Sequence, residues 1–164
     1  MERIWAPWRQ SYVSNDKSDK SCIFCPDLAG KDDRERLILA RTENSLLMLN
    51  RYPYTGGHLM VAPLRHVAEL DDLSDAELLD LMHLLSRGRN LLKREVSPDG
   101  FNVGINLGKA AGAGVEEHLH IHVVPRWNGD SNFMTVVGDV RVIPDGLTEA
   151  YERFSAALAE GAEA

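Results

Sequence analysis

His118-Leu119-His120-Ile121-His122-Val123-Val124 places an imidazole at every second position, with an aliphatic residue between each pair. A strand repeats its side-chain direction every two residues. The stretch therefore predicts a strand from His118 to Val124, closed by Pro125, with the histidines on one face and Leu119, Ile121 and Val123 on the other. Successive imidazoles then leave the backbone about 7 Å apart, twice the rise per residue. Histidine is not a favoured strand residue, and a merely solvated face would carry threonine or lysine. Half of the chain's six histidines lie here, which points to chemistry. Imidazole serves as nucleophile, acid, base or metal ligand, and when protonated it binds phosphate.

The residues just upstream suit an anion. Asn106-Leu107-Gly108-Lys109-Ala110-Ala111-Gly112-Ala113-Gly114 is a loop of small side chains whose backbone N–H groups can approach a phosphate closely. Lys109 and Arg126 flank the site and can add positive charge. Before the loop, Phe101, Val103, Ile105 and Leu107 alternate with Asn102, Gly104 and Asn106, the pattern of a half-buried strand. Further strands are predicted at Leu37–Arg41, Leu46–Asn50 and His58–Pro63, with turn chemistry at Tyr52 to Gly57 between the last two. Lys31 to Arg36 reads as a solvated charge run. Ser74 and Glu77 have capping-box spacing, and Leu78, Leu81, Met82, Leu85 and Leu92 continue as a helical stripe until Ser97-Pro98-Asp99-Gly100 stops it. A shorter helix follows Gly146, with Leu147, Tyr151, Phe154 and Leu158 on one face. This order predicts an α+β fold: an antiparallel sheet of about five strands, one long helix and a C-terminal helix. Repeats and low-complexity linkers are absent, so residues 1–164 read as one domain. Residues 1–20 read as an irregular arm carrying Trp5, Trp8 and Tyr12, and residues 160–164 as a tail expected to fray.

Composition bounds the partner. Acidic residues outnumber basic ones 25 to 18 over 164 residues, a formal charge of -7. A nucleic-acid polymer or an acidic membrane would want a broad basic surface, so neither is expected, whereas one small anion needs only local donors. No run of about 18 apolar residues suggests a membrane span, and Met1 to Gln10 lacks the apolar stretch of a signal peptide, so the cytoplasm is the expected location.

The alternating histidines resemble the His-φ-His-φ-His-φ-φ signature of the histidine triad (HIT) superfamily of nucleotide hydrolases and transferases. Asn50 followed by Gly57-His58-Leu59-Met60-Val61-Ala62-Pro63-Leu64-Arg65-His66 is similar to a second block of that family. Phe101 to Gly108, Glu117 to Trp127, Gly129-Asp130 and Asn132-Phe133 look closest to the bacterial branch containing diadenosine tetraphosphate phosphorylases. The resemblance runs from about Trp5 to Leu147 and implies a HIT-like fold. It makes His120 the nucleophile that attacks the α-phosphorus of a nucleotide, with a nucleotidyl-histidine intermediate, and His118 and His122 its catalytic companions. His122 would contact the phosphate and the leaving group. Asn106, Lys109 and the Gly112-Ala113-Gly114 backbone would steady the phosphate, and Asn50 would reach the ribose. Leu47 or Leu49 and the third strand would wall the base. His58 and His83 would belong to no site. One departure stands out: relatives place serine, threonine or glutamine in the loop before the triad, and Gly112 to Glu117 has neither hydroxyl nor amide side chain.

The implied substrate is a dinucleoside polyphosphate such as diadenosine tetraphosphate, cleaved to ATP and ADP by phosphate or to ATP and AMP by water. Hydrolysis of a nucleoside phosphoramidate is a second enzymatic reading. A non-catalytic nucleotide sensor or adaptor is a third, against which the complete triad speaks. The family also implies a symmetric homodimer and no organic cofactor. Cys22-Ile23-Phe24-Cys25, the chain's two cysteines, has the spacing of half a tetrahedral zinc site. Reduced unliganded thiols or a redox pair are the alternatives. In some family members such a pair joins two histidines that correspond here to His66 and His118, a structural zinc site.

Overall fold

The computed structural model describes residues 22–25, 32–131, 143 and 145–160. The expected N-terminal arm, the 161–164 part of the tail and Asn132-Phe133 lie outside the described residues. Within them, the chain runs through a helical turn α1 (Asp33–Arg36), β1 (Ile38–Arg41), β2 (Ser45–Leu49), β3 (Leu59–Pro63), α2 (Asp75–Val96), β4 (Gly100–Ile105), β5 (Ile121–Arg126) and α3 (Leu147–Glu160). The strands form one sheet in the order β1-β2-β3-β5-β4, with antiparallel neighbours throughout. The α+β expectation therefore holds.

Alternation along the strands sorts side chains onto two faces. Leu47 and Leu49 of β2, Leu59 and Val61 of β3, and Ile121 and Val123 of β5 meet Leu81, Leu84, Leu91 and Leu92 of α2 and Phe154 of α3 in the main core. On the opposite face Leu46, Met48, Met60 and Ala62 form a second cluster with Ile38 and Phe24. Leu47 and Leu49 thus pack under the helix and cannot wall a ligand beside the histidines. Met48 and Met60 lie on the histidine side instead, register pairing Met48 with Met60 and Met60 with His122.

Helix α2 begins as its capping box predicts. Ser74 Oγ accepts the Glu77 N–H at 3.3 Å, and the Glu77 carboxylate accepts the Ser74 N–H at 2.8 Å. Such a cap contributes about 1 kcal/mol. The buried stripe is Leu81, Leu84, Leu85, Gly88, Leu91 and Leu92, and Met82, expected in it, is exposed. The shift follows from Gly88: an ideal Cβ there would lie 2.9 Å from Leu47 Cδ1, so the helix meets the sheet along its glycine row. The charge run is not simply solvated either. Arg36 pairs with Asp32, and Arg41 pairs with Asp33, all four being half-buried.

The first four strands match expectation to within two residues at each end, and β5 differs at both of its ends. β5 starts at Ile121, because the Leu119 N–H donates to the Val67 carbonyl (2.7 Å) and not to a strand. It also runs through Pro125. Pro125 directs its carbonyl to Thr55 Oγ1 (3.2 Å), so its missing N–H faces the same side, beyond Val123, the last residue paired with β3. At the sheet edge β4 ends at Ile105, and Val103 and Leu107 are exposed.

Gly57, at the entrance to β3, has φ +77°, and a Cβ there would meet Leu92 at 3.0 Å, Pro125 at 3.6 Å and Phe154 at 3.7 Å. Left-handed backbone costs an L-residue about 1–2 kcal/mol. Gly57→Ala is therefore expected to lower unfolding free energy by at least about 1 kcal/mol, read as an earlier urea midpoint at unchanged slope. An unchanged midpoint would contradict the tight packing described.

Candidate active site and metal cluster

The three triad imidazoles share one side of the sheet, as alternation requires, but they do different things. The side chain of His118 is wholly buried. Its Nε2 lies 2.8 Å from the Pro63 carbonyl, which can only accept, so Nε2 carries the proton. Its Nδ1 lone pair then faces Cys22 Sγ (3.4 Å), Cys25 Sγ (3.6 Å) and His66 Nδ1 (3.3 Å). Cys25 Sγ is also 3.2 Å from His66 Nδ1. Four donor atoms, from Cys22, Cys25, His66 and His118, lie within 4.8 Å of one another and could hold a metal ion. With both nitrogens committed, the His118 imidazole does not face a substrate.

Burial, the neighbouring Cys22 thiol and its hydrogen bond push the Cys25 thiol up to about 11. Arg36 braces the loop from outside, its Nη1 donating to the carbonyls of Cys22 (3.5 Å), Ile23 (3.5 Å) and Cys25 (3.2 Å).

His120 contributes the free nitrogen. Its Nδ1 lies 2.8 Å from the His118 carbonyl, so Nδ1 carries the proton and Nε2 keeps its lone pair. Burial lowers its pKa, partly offset by that hydrogen bond, and the ring is neutral at pH 7. Phe24, from between the two cysteines, stacks on it with ring centroids 4.6 Å apart and planes 25° apart.

His122 is oriented by His58, a residue expected to belong to no site. The Tyr54 backbone N–H (3.1 Å) and Asn50 Nδ2 (3.3 Å) both donate to His58 Nδ1. His58 must therefore carry its proton on Nε2, which lies 2.9 Å from His122 Nδ1. His122 in turn bears its proton on Nε2. Burial, reinforced by neighbouring histidines, lowers His58 to about 3 and His122 to about 4. The Tyr54 ring lies over both, with centroids 4.5 Å from His58 and 5.7 Å from His122. His83 is exposed on α2, away from these groups.

These shifts fix a pH dependence. Unfolded histidines titrate near 6.5, so below that pH the unfolded chain binds protons that native His58 and His122 refuse. Stability is full above about pH 6.5 and falls as pH drops toward 4, by on the order of 1–2 kcal/mol for each histidine by pH 5. Denaturant midpoints at pH 7, 6 and 5 are expected to fall in that order, less steeply for His58→Gln. A flat profile would contradict neutral burial.

The remaining expected residues are placed unevenly. Asn50 has both ends of its amide in use, its Oδ1 accepting the Tyr52 N–H at 2.9 Å, which leaves one N–H and one lone pair for a ribose. Asn106 follows directly on Ile105, whose register partner is Ile121, the residue after His120. In the loop, the Gly112 N–H donates to Lys109 (3.0 Å) and the Ala113 N–H to Gly108 (3.4 Å). Gly114 has no hydrogen bond among the described residues, and Lys109 is exposed. Arg126 is not available: Asp130 grips it at 2.5 and 2.7 Å, and Asn102 accepts a third bond at 2.6 Å. Asp130 is held well below the usual carboxylate range by that guanidinium.

With this geometry in hand, similarity to known proteins is specific. Residues 32–129 match the model of the HIT domain. The chain is 42% identical over 156 residues to an AP-4-A phosphorylase of Mycobacterium tuberculosis, covering 91% of this chain and 80% of that one. It is 34% identical over 108 residues to adenosine 5'-monophosphoramidase hnt1 of Schizosaccharomyces pombe, covering 66% and 76%. Among solved structures, a Zn-bound histidine triad family protein from Mycobacterium smegmatis superposes with a TM-score of 0.68 at 32% identity, covering 87% of this chain and 96% of that one.

Proposed function

The chain belongs to the HIT domain family, and from that membership we propose that it cleaves dinucleoside polyphosphates through a nucleotidyl-His120 intermediate, with phosphate as the acceptor. One observation carries the mechanism: the 2.8 Å hydrogen bond from His120 Nδ1 to the His118 carbonyl leaves Nε2 as a lone pair on a buried neutral ring. Nε2 attacks the α-phosphorus, and the bond to the bridging oxygen breaks, giving one difficult displacement as two easier ones. His122 donates its Nε2–H to the departing oxygen, which leaves as a terminal phosphate anion and needs no proton, and the His58 Nε2–H bond to His122 Nδ1 holds that tautomer. Asn106 and the Gly114 N–H face the phosphate oxygens whose charge grows during transfer, and Lys109 adds its charge from the rim. Met48 and Met60, buried on the histidine side of the sheet, underlie the apolar side of the nucleoside site. Phosphate then attacks the nucleotidyl-histidine and releases the second product.

The reading of the metal as zinc rests on the donor set. Two thiols and two imidazoles suit a tetrahedral zinc ion, for which Zn–S of about 2.3 Å and Zn–N of about 2.0–2.1 Å demand S···N edges of about 3.5 Å and an N···N edge of about 3.3 Å. The cluster offers S···N separations of 3.4, 3.6 and 3.2 Å and an N···N separation of 3.3 Å. With all four positions taken by protein, such a metal would be structural, gathering the Cys22–Cys25 loop onto the histidine strand and leaving no open position for substrate. His118 Nε2, bonded to the Pro63 carbonyl, fixes the coordinating tautomer.

The exposed β4 edge, with Val103 and Leu107 uncovered, suits pairing in a two-fold homodimer. No described helix is long and apolar enough to cross a membrane.

The acceptor is tested directly. Incubated with diadenosine tetraphosphate and inorganic phosphate, the protein is expected to give ATP and ADP in equal amounts. AMP formation unaffected by phosphate would replace phosphorolysis with hydrolysis. Faster turnover of an adenosine phosphoramidate would favour the phosphoramidase reading that similarity to hnt1 supports.

A further inference from the structure

We propose that Phe24 is a positioning residue for the nucleophile, holding the His120 ring plane and stabilising the positive charge that ring acquires during transfer. The inference rests on the assignment of His120 above. Phe24 is 1% exposed, so it is not itself a surface for substrate. Its ring covers one face of His120 at 4.6 Å and 25° and tilts against His118 at 5.3 Å and 45°.

The hydrogen bond from His120 Nδ1 to the His118 carbonyl fixes one edge of the imidazole but leaves the ring free to swing about that contact. The stacked face removes that freedom. His122 closes a second side edge-on, its centroid 5.0 Å away with planes 75° apart. What remains open is the edge bearing Nε2.

Charge gives Phe24 a second effect. When Nε2 forms its bond to phosphorus, the leaving oxygen departs with the electron pair of the broken P–O bond. The Nδ1 proton stays on the ring, hydrogen-bonded to the His118 carbonyl. The substituted imidazole is then cationic. A cation over an aromatic face in a desolvated site is attracted by the ring quadrupole, an interaction weaker for the neutral starting imidazole. Phe24 therefore favours the transition state and the intermediate over the resting enzyme, the condition for raising kcat.

The placement of Phe24 in sequence ties this to the metal cluster. Cys22 and Cys25 flank it, the Cys25 N–H closes the turn on the Cys22 carbonyl at 3.1 Å, and Arg36 holds three carbonyls of the same turn. Its ring is seated among Ile38, Leu46, Met48, Met60 and Ala62. The loop that supplies two thiols is thus also the loop that aims the nucleophile.

The test replaces the ring in three ways in the full chain. Phe24→Leu removes it, Phe24→Tyr keeps it, and pentafluorophenylalanine at position 24 keeps its size while inverting its quadrupole. Zinc content and melting temperature accompany kcat and KM for each. Phe24→Leu is expected to lose about 10- to 100-fold in kcat with KM within twofold and zinc retained, Phe24→Tyr to recover most of the loss, and the pentafluoro ring to lose kcat although it stacks. Unchanged kcat in both Phe24→Leu and the pentafluoro protein, or a loss confined to KM, overturns the proposal. Should Phe24→Leu fail to fold or shed zinc, the pentafluoro protein decides alone: unchanged kcat overturns the proposal, reduced kcat upholds it. His120→Ala runs beside them, and turnover retained there refutes the nucleophile assignment itself instead.

Discussion

His120→Ala is expected to turn over diadenosine tetraphosphate at least about 10⁴-fold more slowly than wild type, with nucleotide affinity changed no more than a few-fold. The size of the effect follows from the absence of a substitute. His118 has its Nε2 at the Pro63 carbonyl and its Nδ1 in the thiol cluster, so it offers no free nitrogen. His122 has its Nδ1 occupied by His58, and its other nitrogen bears a proton. His66 belongs to the cluster and His83 lies on the outer face of α2. Only His120 presents a lone pair on a neutral ring toward the site. Binding should survive, because the groups assigned to phosphate and nucleoside sit on other elements: Asn106 and Gly114 after β4, and Met48 and Met60 on β2 and β3. Steady-state rates and calorimetric titration with a non-cleavable nucleotide read the two halves separately, and acid quenching should trap no nucleotidyl-protein in the variant. Turnover above about a tenth of wild type would remove His120 from the role of nucleophile.

The sequence made the triad legible because period two is a local property, and it made α2 legible because Ser74 and Glu77 carry the whole cap between them. The metal quartet needed the family resemblance, since nothing local joins Cys22 to residues 44 and 96 positions away. Other features were illegible for a stated reason. Met48 and Met60, not Leu47 and Leu49, face the histidines, because side choice along β2 depends on which neighbours in the sheet the helix covers. His58 stood outside the alternating stretch; its role appears only once β3 lies beside β5 and brings its Nε2 within 2.9 Å of His122. A signal was present in its position, since an apolar strand opening with histidine has to satisfy that ring once buried. Phe24 reads as an ordinary spacer between two cysteines until the loop folds back over His120. Arg126 shows the reverse error. Four residues before Asp130, it reads as a free cation, yet the turn at Trp127 to Asp130 closes the pair.

Removal of the metal is the second large effect. Chelation of purified protein, or Cys22→Ser, is expected to lower the melting temperature by roughly 8–16 °C. Zinc at about a thousandfold above its dissociation constant adds about 4 kcal/mol to the folded state, and 1 kcal/mol moves a domain of this size by about 2–4 °C. The donor chemistry supports so large a share. Without a cation the Cys25 thiol stays protonated, pushed up to about 11, and the cluster is held only by weak sulfur hydrogen bonds. A bound cation favours the thiolate and converts those contacts into ligand bonds. Catalysis is expected to fall with stability, because the His118 backbone carries the carbonyl that accepts the His120 Nδ1 hydrogen bond while its side chain belongs to the candidate metal cluster. Elemental analysis should find one zinc per chain in wild type and a substoichiometric amount in Cys22→Ser. The decisive comparison is made well below the melting temperature of the metal-free protein, where the chain is still folded. Reduced single-turnover nucleotidyl transfer there means that the metal aims His120 as well as stabilising the fold. Transfer at the wild-type rate would confine the metal to stability, and a melting temperature unmoved by chelation would remove it from both roles.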